Sequence, residues 1–242
     1  MASSLFISDL HLSEERPAAN EAFFAFVEEK ASAASALYIL GDLFEYWIGD
    51  DDLGDPFNAV VVGFIHGLTK HGVAVFFMRG NRDFLADGRF AEATGARILE
   101  DPASETIAGT PTLLMHGDTL CTDDLDYQAW RRTARSPAWQ REFLSKSLEE
   151  RRSIIMGLRA KSREVVQAKP AEIMDVNEAA VRQALESSGA SRLVHGHTHR
   201  AGRHAVQAAG RRCERWVLPD WYGPGGYLEV PDKGEPRLVQ FA

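Results

Sequence analysis

Short apolar runs alternate with longer amphipathic segments in the first third of the chain, and this pattern predicts strands and helices in turn. Residues 4–7, 36–40 and 73–78 are apolar runs bounded by polar residues or glycine, as expected for buried strands. Residues 17–34 and 57–71 carry apolar positions at helical spacing. The order strand, helix, strand, helix, strand predicts a parallel sheet covered by helices on both faces.

The remainder of the chain predicts two more strands, an insertion and an irregular tail. Residues 112–115 and 192–195 are apolar runs of strand length. Between them, apolar residues at roughly helical spacing predict two or three amphipathic helices, with breaks at Pro137 and Pro170, and we interpret this segment as a lid over residues 123–170. Residues 204–241 alternate short apolar runs with glycine and proline, which indicates antiparallel strands and turns. We therefore expect one domain spanning residues 1–242.

The charge is unevenly distributed. The net charge is −8, which argues against a general nucleic-acid binder. Residues 131–169 nevertheless contain 11 Lys and Arg but four Asp and Glu. Composition alone favours a solvated charged face on helices that pack against the sheet. The other interpretation is a basic surface for an anionic partner, with the apolar stripes enclosing an apolar ligand or lying in a membrane interface. The aspartates at 50–52 are interpreted as a solvated turn.

Three sequence features bear on the compartment. No apolar run is long enough to span a bilayer, and no secretory signal is evident before the first strand. Cys121 and Cys213 are too few for a disulfide framework, which fits a reducing cytoplasm. Both are expected to be small core residues.

Metal-ligating residue types follow the apolar runs wherever a strand is predicted to end. They are Asp9, His11, Asp42, Asn81, His116, His197 and His199. Each alone is more often a turn residue or a hydrogen-bonded histidine, but their ordered recurrence at strand ends indicates a metal centre. Oxygen and imidazole ligands together suit one or two ions such as Mn, Fe, Zn or Co. Asp42 is the candidate bridge, since a shared carboxylate can hold two ions side by side. His195, inside its strand, is expected to be structural.

The motifs Asp9-x-His11, Gly41-Asp42, Gly80-Asn81, His116 and Gly196-His197-x-His199 resemble the calcineurin-like metallophosphoesterases. The resemblance implies a four-layer α/β/β/α sandwich with two metal ions at the sheet edge. The first ion would be held by Asp9, His11, Asp42 and His199. The second ion would be held by Asp42, Asn81, His116 and His197.

Arg82 departs from the pattern of most members of this family, which place a histidine there to protonate the leaving group. An arginine is not a general acid at neutral pH, but its guanidinium can donate two parallel hydrogen bonds to phosphate oxygens. The leaving group should therefore need little protonation. A phosphate fits this requirement and an alkoxide does not, so Arg82 favours a pyrophosphate substrate.

The segments at 80–84, 116–124, 173–177, 195–200 and 220–222 resemble one branch of the family, the UDP-2,3-diacylglucosamine pyrophosphohydrolases of lipid A biosynthesis. That resemblance implies Mn-dependent hydrolysis to 2,3-diacylglucosamine 1-phosphate and UMP, with water attacking the phosphorus nearer the uridine. The implied catalytic residues are Asp42, Asn81, Arg82 and His197. The implied substrate-binding residues are Asn81, Arg82, Asp124, Ser162, Lys169 and His197. Val166 departs from the branch, where asparagine is usual.

This resemblance also implies a lipid-linked nucleotide substrate, no obligate protein partner, and attachment to the cytoplasmic side of the inner membrane of a Gram-negative bacterium. It reverses the preference for a solvated charged face, because it implies that the basic residues of the lid meet a diphosphate and an anionic membrane surface, while the apolar stripes form an acyl-chain chamber or lie in the interface. Two alternatives stay open. One is a phosphodiesterase or nucleotidase acting on a soluble substrate. The other is a non-catalytic scaffold that has lost its metals, although all seven expected ligands are present in this chain.

Overall fold

Two β-sheets packed face to face form the centre of the computed structural model, which describes residues 3–169 and 171–241. The side chains of residues 163–168, 171 and 172 lie outside the described part, and Val166 is among them. The strands are β1 (Ser3–Ile7), β2 (Ala36–Leu40), β3 (Ala74–Met78), β4 (Arg97–Leu99), β5 (Ala103–Ile107), β6 (Thr110–Leu114), β7 (Arg192–His195), β8 (Gly202–Ala208), β9 (Arg211–Val217), β10 (Gly226–Pro231) and β11 (Arg237–Gln240). The α-helices are α1 (Pro17–Glu29), α2 (Pro56–Lys70), α3 (Gly88–Thr94), α4 (Leu125–Ala134), α5 (Pro137–Leu144), α6 (Leu148–Ala168) and α7 (Glu178–Ser188).

The first sheet has the order β11-β10-β1-β2-β3-β4, and the second has the order β5-β6-β7-β9-β8. Strands β1 to β4 are parallel, as are β6, β7 and β9, while β5, β8, β10 and β11 pair antiparallel with their neighbours. The central strand β2 is a continuous apolar run because both of its faces are buried, and every residue of β7 is buried as well. Their carboxyl ends carry the polar loops.

Three buried clusters define four layers. One cluster joins the inner faces of the two sheets, with Phe6 and Met78 from the first sheet and Leu114 and Val194 from the second. A second cluster packs α1, α2 and α3 on the outer face of the first sheet. A third packs α7 on the outer face of the second sheet. The predicted α/β/β/α sandwich is confirmed.

Several elements differ from the sequence prediction. Helix α1 ends at Glu29, and a separate 3₁₀ turn covers Ala31–Ala33, so the predicted helix was too long. The sequence pattern did not identify α3, β4, β5 or α7, of which β4 spans three residues and β5 alternates between half-buried and exposed positions before the buried Ile107. The tail does form antiparallel hairpins, but β8 and β9 complete the second sheet whereas β10 pairs with β1 of the first.

Helices α4, α5 and α6 lie within the segment predicted as a lid. Asp124 caps α4 by accepting a hydrogen bond from the Tyr127 amide, at 3.1 Å. Ser136 caps α5 in the same way, and Pro137 occupies the first position of that helix, which explains the break predicted there. Within the described part of the chain, no helix has the length and apolar character that crossing a membrane requires.

The start of α6 is fixed to the sheet domain by arginines. Arg151 is 3% exposed, pairs with both oxygens of Asp51 and donates to the Ile48 carbonyl at 2.7 Å. Arg152 pairs with Asp52 at 2.6 Å. The interpretation of residues 50–52 as a solvated turn was therefore wrong. These acids receive lid arginines because the oppositely charged segments, a hundred residues apart, meet in the fold.

Replacing Arg151 with alanine should lower the free energy of unfolding by about 2 kcal/mol, because several charge-assisted hydrogen bonds to a buried guanidinium are lost together. Urea-induced unfolding monitored by circular dichroism measures this change. Arg141→Ala is the matched control, since Arg141 is an exposed arginine of the same lid. Equal stability of the two variants would contradict the docking role.

Candidate metal centre and substrate cavity

The seven predicted ligands converge on one site, although they come from both sheets. The turns after β1, β2 and β3 of the first sheet provide Asp9, His11, Asp42 and Asn81. The loops after β6 and β7 of the second sheet provide His116, His197 and His199. The two sheets are linked directly at this edge, where the His197 amide donates to Asp9 Oδ2 at 2.8 Å.

Left-handed backbone marks this site. Five of the predicted ligands have positive φ angles between 53° and 67°, a region that residues other than glycine rarely adopt. They are Asp9, His11, Asp42, His197 and His199. Such strain costs free energy, so its concentration at one site indicates that the turns hold these side chains for a function.

Asp9, His11 and His199 form one potential ligand group. His199 Nε2 lies 3.6 Å from Asp9 Oδ1, and the His11 ring centre lies 5.7 Å from that of His199. Asp9 is fully buried, and its other oxygen accepts from the Ser8 hydroxyl at 2.6 Å. Oδ1 of Asp9 is therefore left free to face the two imidazoles.

Asp42 lies between the two halves of the site. Its Oδ2 is 3.8 Å from Nε2 of His11, and its Oδ1 is 3.8 Å from Nε2 of His116. Oδ1 also accepts from the Arg82 amide at 2.8 Å. Asp42 also belongs to a second potential ligand group, with Asp9 and His116. The carboxylate thus faces both sets of imidazoles, as a bridging ligand requires.

Asn81 occupies the other half of the site. Its Oδ1 lies 2.9 Å from Nε2 of His116 and 2.9 Å from Nδ1 of His197. The His116 ring is oriented by a 2.9 Å contact from Nδ1 to the Leu40 carbonyl. This contact leaves Nε2 directed at the site, as is usual for a metal-ligating histidine.

Two carboxylates outside the predicted set support these ligands. The buried side chain of Asp83 accepts from the amides of Leu43 and Gly80, each at 2.8 Å, and so ties the Asp42 turn to the Asn81 turn. Oε2 of Glu45 lies 2.9 Å from Nδ1 of His11. The sequence did not reveal either role. The sequence signal for Asp83 was its position two residues after the Gly80-Asn81 motif, whereas no sequence signal pointed to Glu45.

Burial and charge set the protonation of the imidazoles. Burial lowers the pKa of His11 to about 4 and that of His197 to about 4, so both rings are neutral at pH 7 and offer a lone pair. Burial alone would lower the pKa of His116 as well, but the carboxylates of Asp42 and Asp118 raise it to about 9. A bound cation would satisfy the same carboxylates in place of that proton.

The donor set fits divalent metal ions. Oδ1 of Asp9 and Nε2 of His11 are buried polar atoms without a hydrogen-bond partner in the described structure. Unpartnered buried polar atoms are costly unless something binds them. Because they face other carboxylate and imidazole atoms, a cation would satisfy them together.

A cavity of about 470 Å³ opens from this centre beneath the lid. Among the residues that line it are Asn81, Arg82, Asp124, Ser162 and Lys169. These are the predicted substrate contacts apart from His197, which lies among the predicted metal ligands. Lys169 Nζ pairs with both Asp124 oxygens, at 2.6 and 2.7 Å.

The same cavity has apolar walls, which the sequence did not locate. Phe84, Trp130, Ala134, Ile155 and Leu158 provide them from the Asn81 loop, α4 and α6. The cavity beneath the lid thus has a polar part, next to the predicted metal ligands, and an apolar part. Such a cavity suits a molecule with a charged group and an apolar part.

Asp118 connects the lid to the predicted metal ligands, a role that sequence reasoning missed. This fully buried residue follows His116 by two positions. Its Oδ2 accepts from the Tyr127 hydroxyl at 2.8 Å and from Arg131 Nε at 2.7 Å. The Tyr127 ring lies 5.6 Å from that of His197. Helix α4 is therefore positioned against the metal ligands by one carboxylate.

Comparison with protein families places most of this chain in one group. The model of the calcineurin-like phosphoesterase family matches residues 3–201. The match includes every predicted metal ligand and the whole predicted lid, and it confirms the resemblance noted from the motifs.

Full-length relatives are also similar. The chain is 48% identical over 239 residues to a UDP-2,3-diacylglucosamine hydrolase of Aromatoleum aromaticum, covering 99% of this chain and 97% of the relative. It is 47% identical to a UDP-2,3-diacylglucosamine hydrolase of Xanthomonas campestris, covering 96% of each. A relative of the same name from Cellvibrio japonicus is 44% identical over 232 residues, again covering 96% of each.

A solved structure of a novel archaeal phosphodiesterase superposes with a TM-score of 0.50 at 13% identity, covering 99% of both chains. At that identity the superposition supports the fold alone, and it agrees with the sandwich described above.

Proposed function

Because the chain belongs to the calcineurin-like phosphoesterase family, we propose that it hydrolyses the pyrophosphate bond of UDP-2,3-diacylglucosamine. The products are 2,3-diacylglucosamine 1-phosphate and UMP, in a step of lipid A biosynthesis. The observation that carries this proposal is the cavity that joins Asn81 and Arg82 to apolar lid residues. Relatives that share nearly half of their residues with the chain over its full length carry the same substrate in their names.

Members of this family bind divalent metal ions, and we propose two Mn²⁺ ions here. Asp9, His11, Asp42 and His199 would hold one, and Asp42, Asn81, His116 and His197 would hold the other. When bound, the ions supply Lewis acidity, which lowers the pKa of water and neutralises phosphate charge. The unpartnered atoms of Asp9 and His11, and the position of Asp42 between His11 and His116, support this assignment.

The protein groups act on the diphosphate. Water attacks the phosphorus nearer the uridine, the bond from this phosphorus to the bridging oxygen breaks, and the oxygen from water remains in UMP. Arg82 donates to the phosphate oxygens as negative charge builds on them, and Asn81 and His197 position the same group. The leaving phosphate is a weak base, so it departs without a general acid at position 82.

The lid binds the acylated sugar. Ser162 and Lys169 provide donors for the sugar phosphate, and Asp124 holds Lys169 in place. The apolar walls from α4 and α6 receive acyl chain. This division explains why one cavity contains both ion-paired groups and apolar side chains.

The outer surface of the lid faces an anionic membrane in this proposal. Exposed apolar side chains on α4, α5 and α6 support it: Leu125 is 74% exposed, Met156 is 52% exposed and Leu144 is 41% exposed. The basic surplus contributes less than its count suggests, because Arg131, Arg151, Arg152 and Lys169 form ion pairs within the protein. Attachment to the cytoplasmic side of the inner membrane follows from the substrate.

Hydrolysis of UDP-2,3-diacylglucosamine in detergent micelles, with Mn²⁺ and water enriched in heavy oxygen, tests the proposal. We expect rapid cleavage with the label in UMP, measured by mass spectrometry. UDP-glucosamine, which lacks the acyl chains, is the matched substrate and should react far more slowly. Label in the sugar phosphate would overturn the attacked phosphorus. Absence of cleavage by protein that contains bound Mn²⁺ would overturn the substrate.

A further inference from the structure

Tyr222, an exposed aromatic residue to which the proposed reaction assigns no role, lies beside the predicted metal ligands. It is 55% exposed, and its ring centre lies 5.0 Å from that of His11 and 5.5 Å from that of His199. It is not among the residues that line the lid cavity. In that cavity, the tyrosine next to the predicted metal ligands is Tyr127, whose ring contacts His197. The two tyrosines therefore lie beside opposite groups of predicted ligands.

The backbone that carries Tyr222 is fixed to the metal-ligand turn. The amide of Trp221 donates to the Asp9 carbonyl at 3.1 Å. Arg16 donates to the carbonyls of Trp221 and Leu10, each at 2.6 Å, and its guanidinium lies 4.3 Å from the centre of the Tyr222 ring. The Trp221 side chain is 2% exposed and packs in the core.

An exposed aromatic ring that packs against a guanidinium and two imidazoles is a preformed contact surface, because binding to it costs little side-chain entropy. Aromatic rings contact nucleobases favourably, since every base has a π-face. More than half of the Tyr222 surface is open, so the ring has room for such a contact despite the neighbouring guanidinium of Arg16.

The chemistry of the proposed substrate indicates which group contacts this surface. The attacked phosphorus lies between two dissimilar halves, an acylated sugar phosphate and a nucleoside. The lid cavity suits the acylated half, so the nucleoside extends away from it, past the ligands on the other side. We propose that Tyr222, backed by Arg16, contacts the nucleobase of the substrate and of the product UMP. This inference rests on the proposed function.

Competition between two phosphates tests the contact. UMP and ribose 5-phosphate both present a phosphate monoester on ribose, but only UMP carries a base. In Mn²⁺-loaded wild-type protein we expect calorimetry to show UMP binding roughly tenfold more tightly. In Tyr222→Ala the two ligands should bind equally, whereas Tyr222→Phe should keep the preference. The ratio cancels changes in the metal centre, since both phosphates depend on it alike.

A measurement on unaltered protein avoids any folding defect of the variants. Light-induced cross-linking of 5-iodouridine monophosphate, followed by peptide mapping, should attach the label to the peptide that contains Tyr222. Label on other peptides only, no preference for UMP in the wild type, or a preference retained in Tyr222→Ala would each overturn the inference. Because these measurements need no turnover, a failure to hydrolyse the acylated substrate would refute the proposed function separately.

Discussion

Replacing Asp42 with asparagine is expected to reduce turnover at least about 1,000-fold, because the proposed metal centre loses the carboxylate assigned as its bridge. The two oxygens of Asp42 face His11 and His116, each at 3.8 Å. Asparagine keeps one oxygen, which can still accept from the Arg82 amide. It replaces the other oxygen with an amino group, which carries hydrogens toward the place where a cation would bind.

Metal content and thermal stability distinguish this loss from unfolding. Wild-type protein should retain Mn²⁺ through purification and should melt at a higher temperature when Mn²⁺ is added, since binding to the folded state stabilises it. Asp42→Asn should show a normal circular dichroism spectrum but a much smaller stabilisation by Mn²⁺. The exposed Asp232→Asn is the matched control. Wild-type turnover by Asp42→Asn would refute the bridging assignment.

Gly80→Ala should have the second-largest effect, although it adds one methyl group. A Cβ at Gly80 would lie 2.1 Å from Oδ1 of Asp42 and 2.3 Å from the Asp42 amide nitrogen, closer than atoms can approach. Gly80 is itself held on both sides, because its amide donates to Asp83 and its carbonyl accepts from Arg135, each at 2.8 Å. The new methyl group therefore displaces Asp42.

We expect Gly80→Ala to lower turnover by about 100-fold or more and stability by about 1–3 kcal/mol. Steady-state kinetics at several Mn²⁺ concentrations and urea unfolding measure the two effects. Gly63→Ala is the control: Gly63 lies in α2 with open space around it, so its alanine should leave activity unchanged and raise stability by about 1 kcal/mol. Wild-type Mn²⁺ dependence in Gly80→Ala would contradict the steric argument.

The contrast between Gly80 and Gly63 shows what sequence patterns can and cannot convey. Both are single glycines, one in a turn after a strand and the other within a helix. The pattern placed Gly80 next to a candidate ligand, but it did not reveal that the Asp42 carboxylate fills the space where a side chain would lie. That space is set by packing between two turns that are far apart in the chain.

The lid gives a second example. Helical periodicity and Pro137 were enough to predict helices between the ligand motifs. The ion-pair partners of the lid arginines were not predictable. The partners of Arg151 and Arg152 lie a hundred residues earlier in the chain, in a run of aspartates that was interpreted as solvated. Charge counts over one segment do not reveal which charges are neutralised across the fold.

By itself, the sequence determined the buried strands, the metal-ligating residue types that follow them and the resemblance to a phosphoesterase family. These properties are local, since apolar runs and the residues next to them are read along a few positions. The tertiary structure alone decided that Asp9 and His197, 188 residues apart, share a hydrogen bond. It also decided that the lid and the Asn81 loop enclose a cavity with polar and apolar walls, and that Tyr222 lies beside His11 and His199. Such contacts depend on how two sheets pack, and no local pattern contains that information.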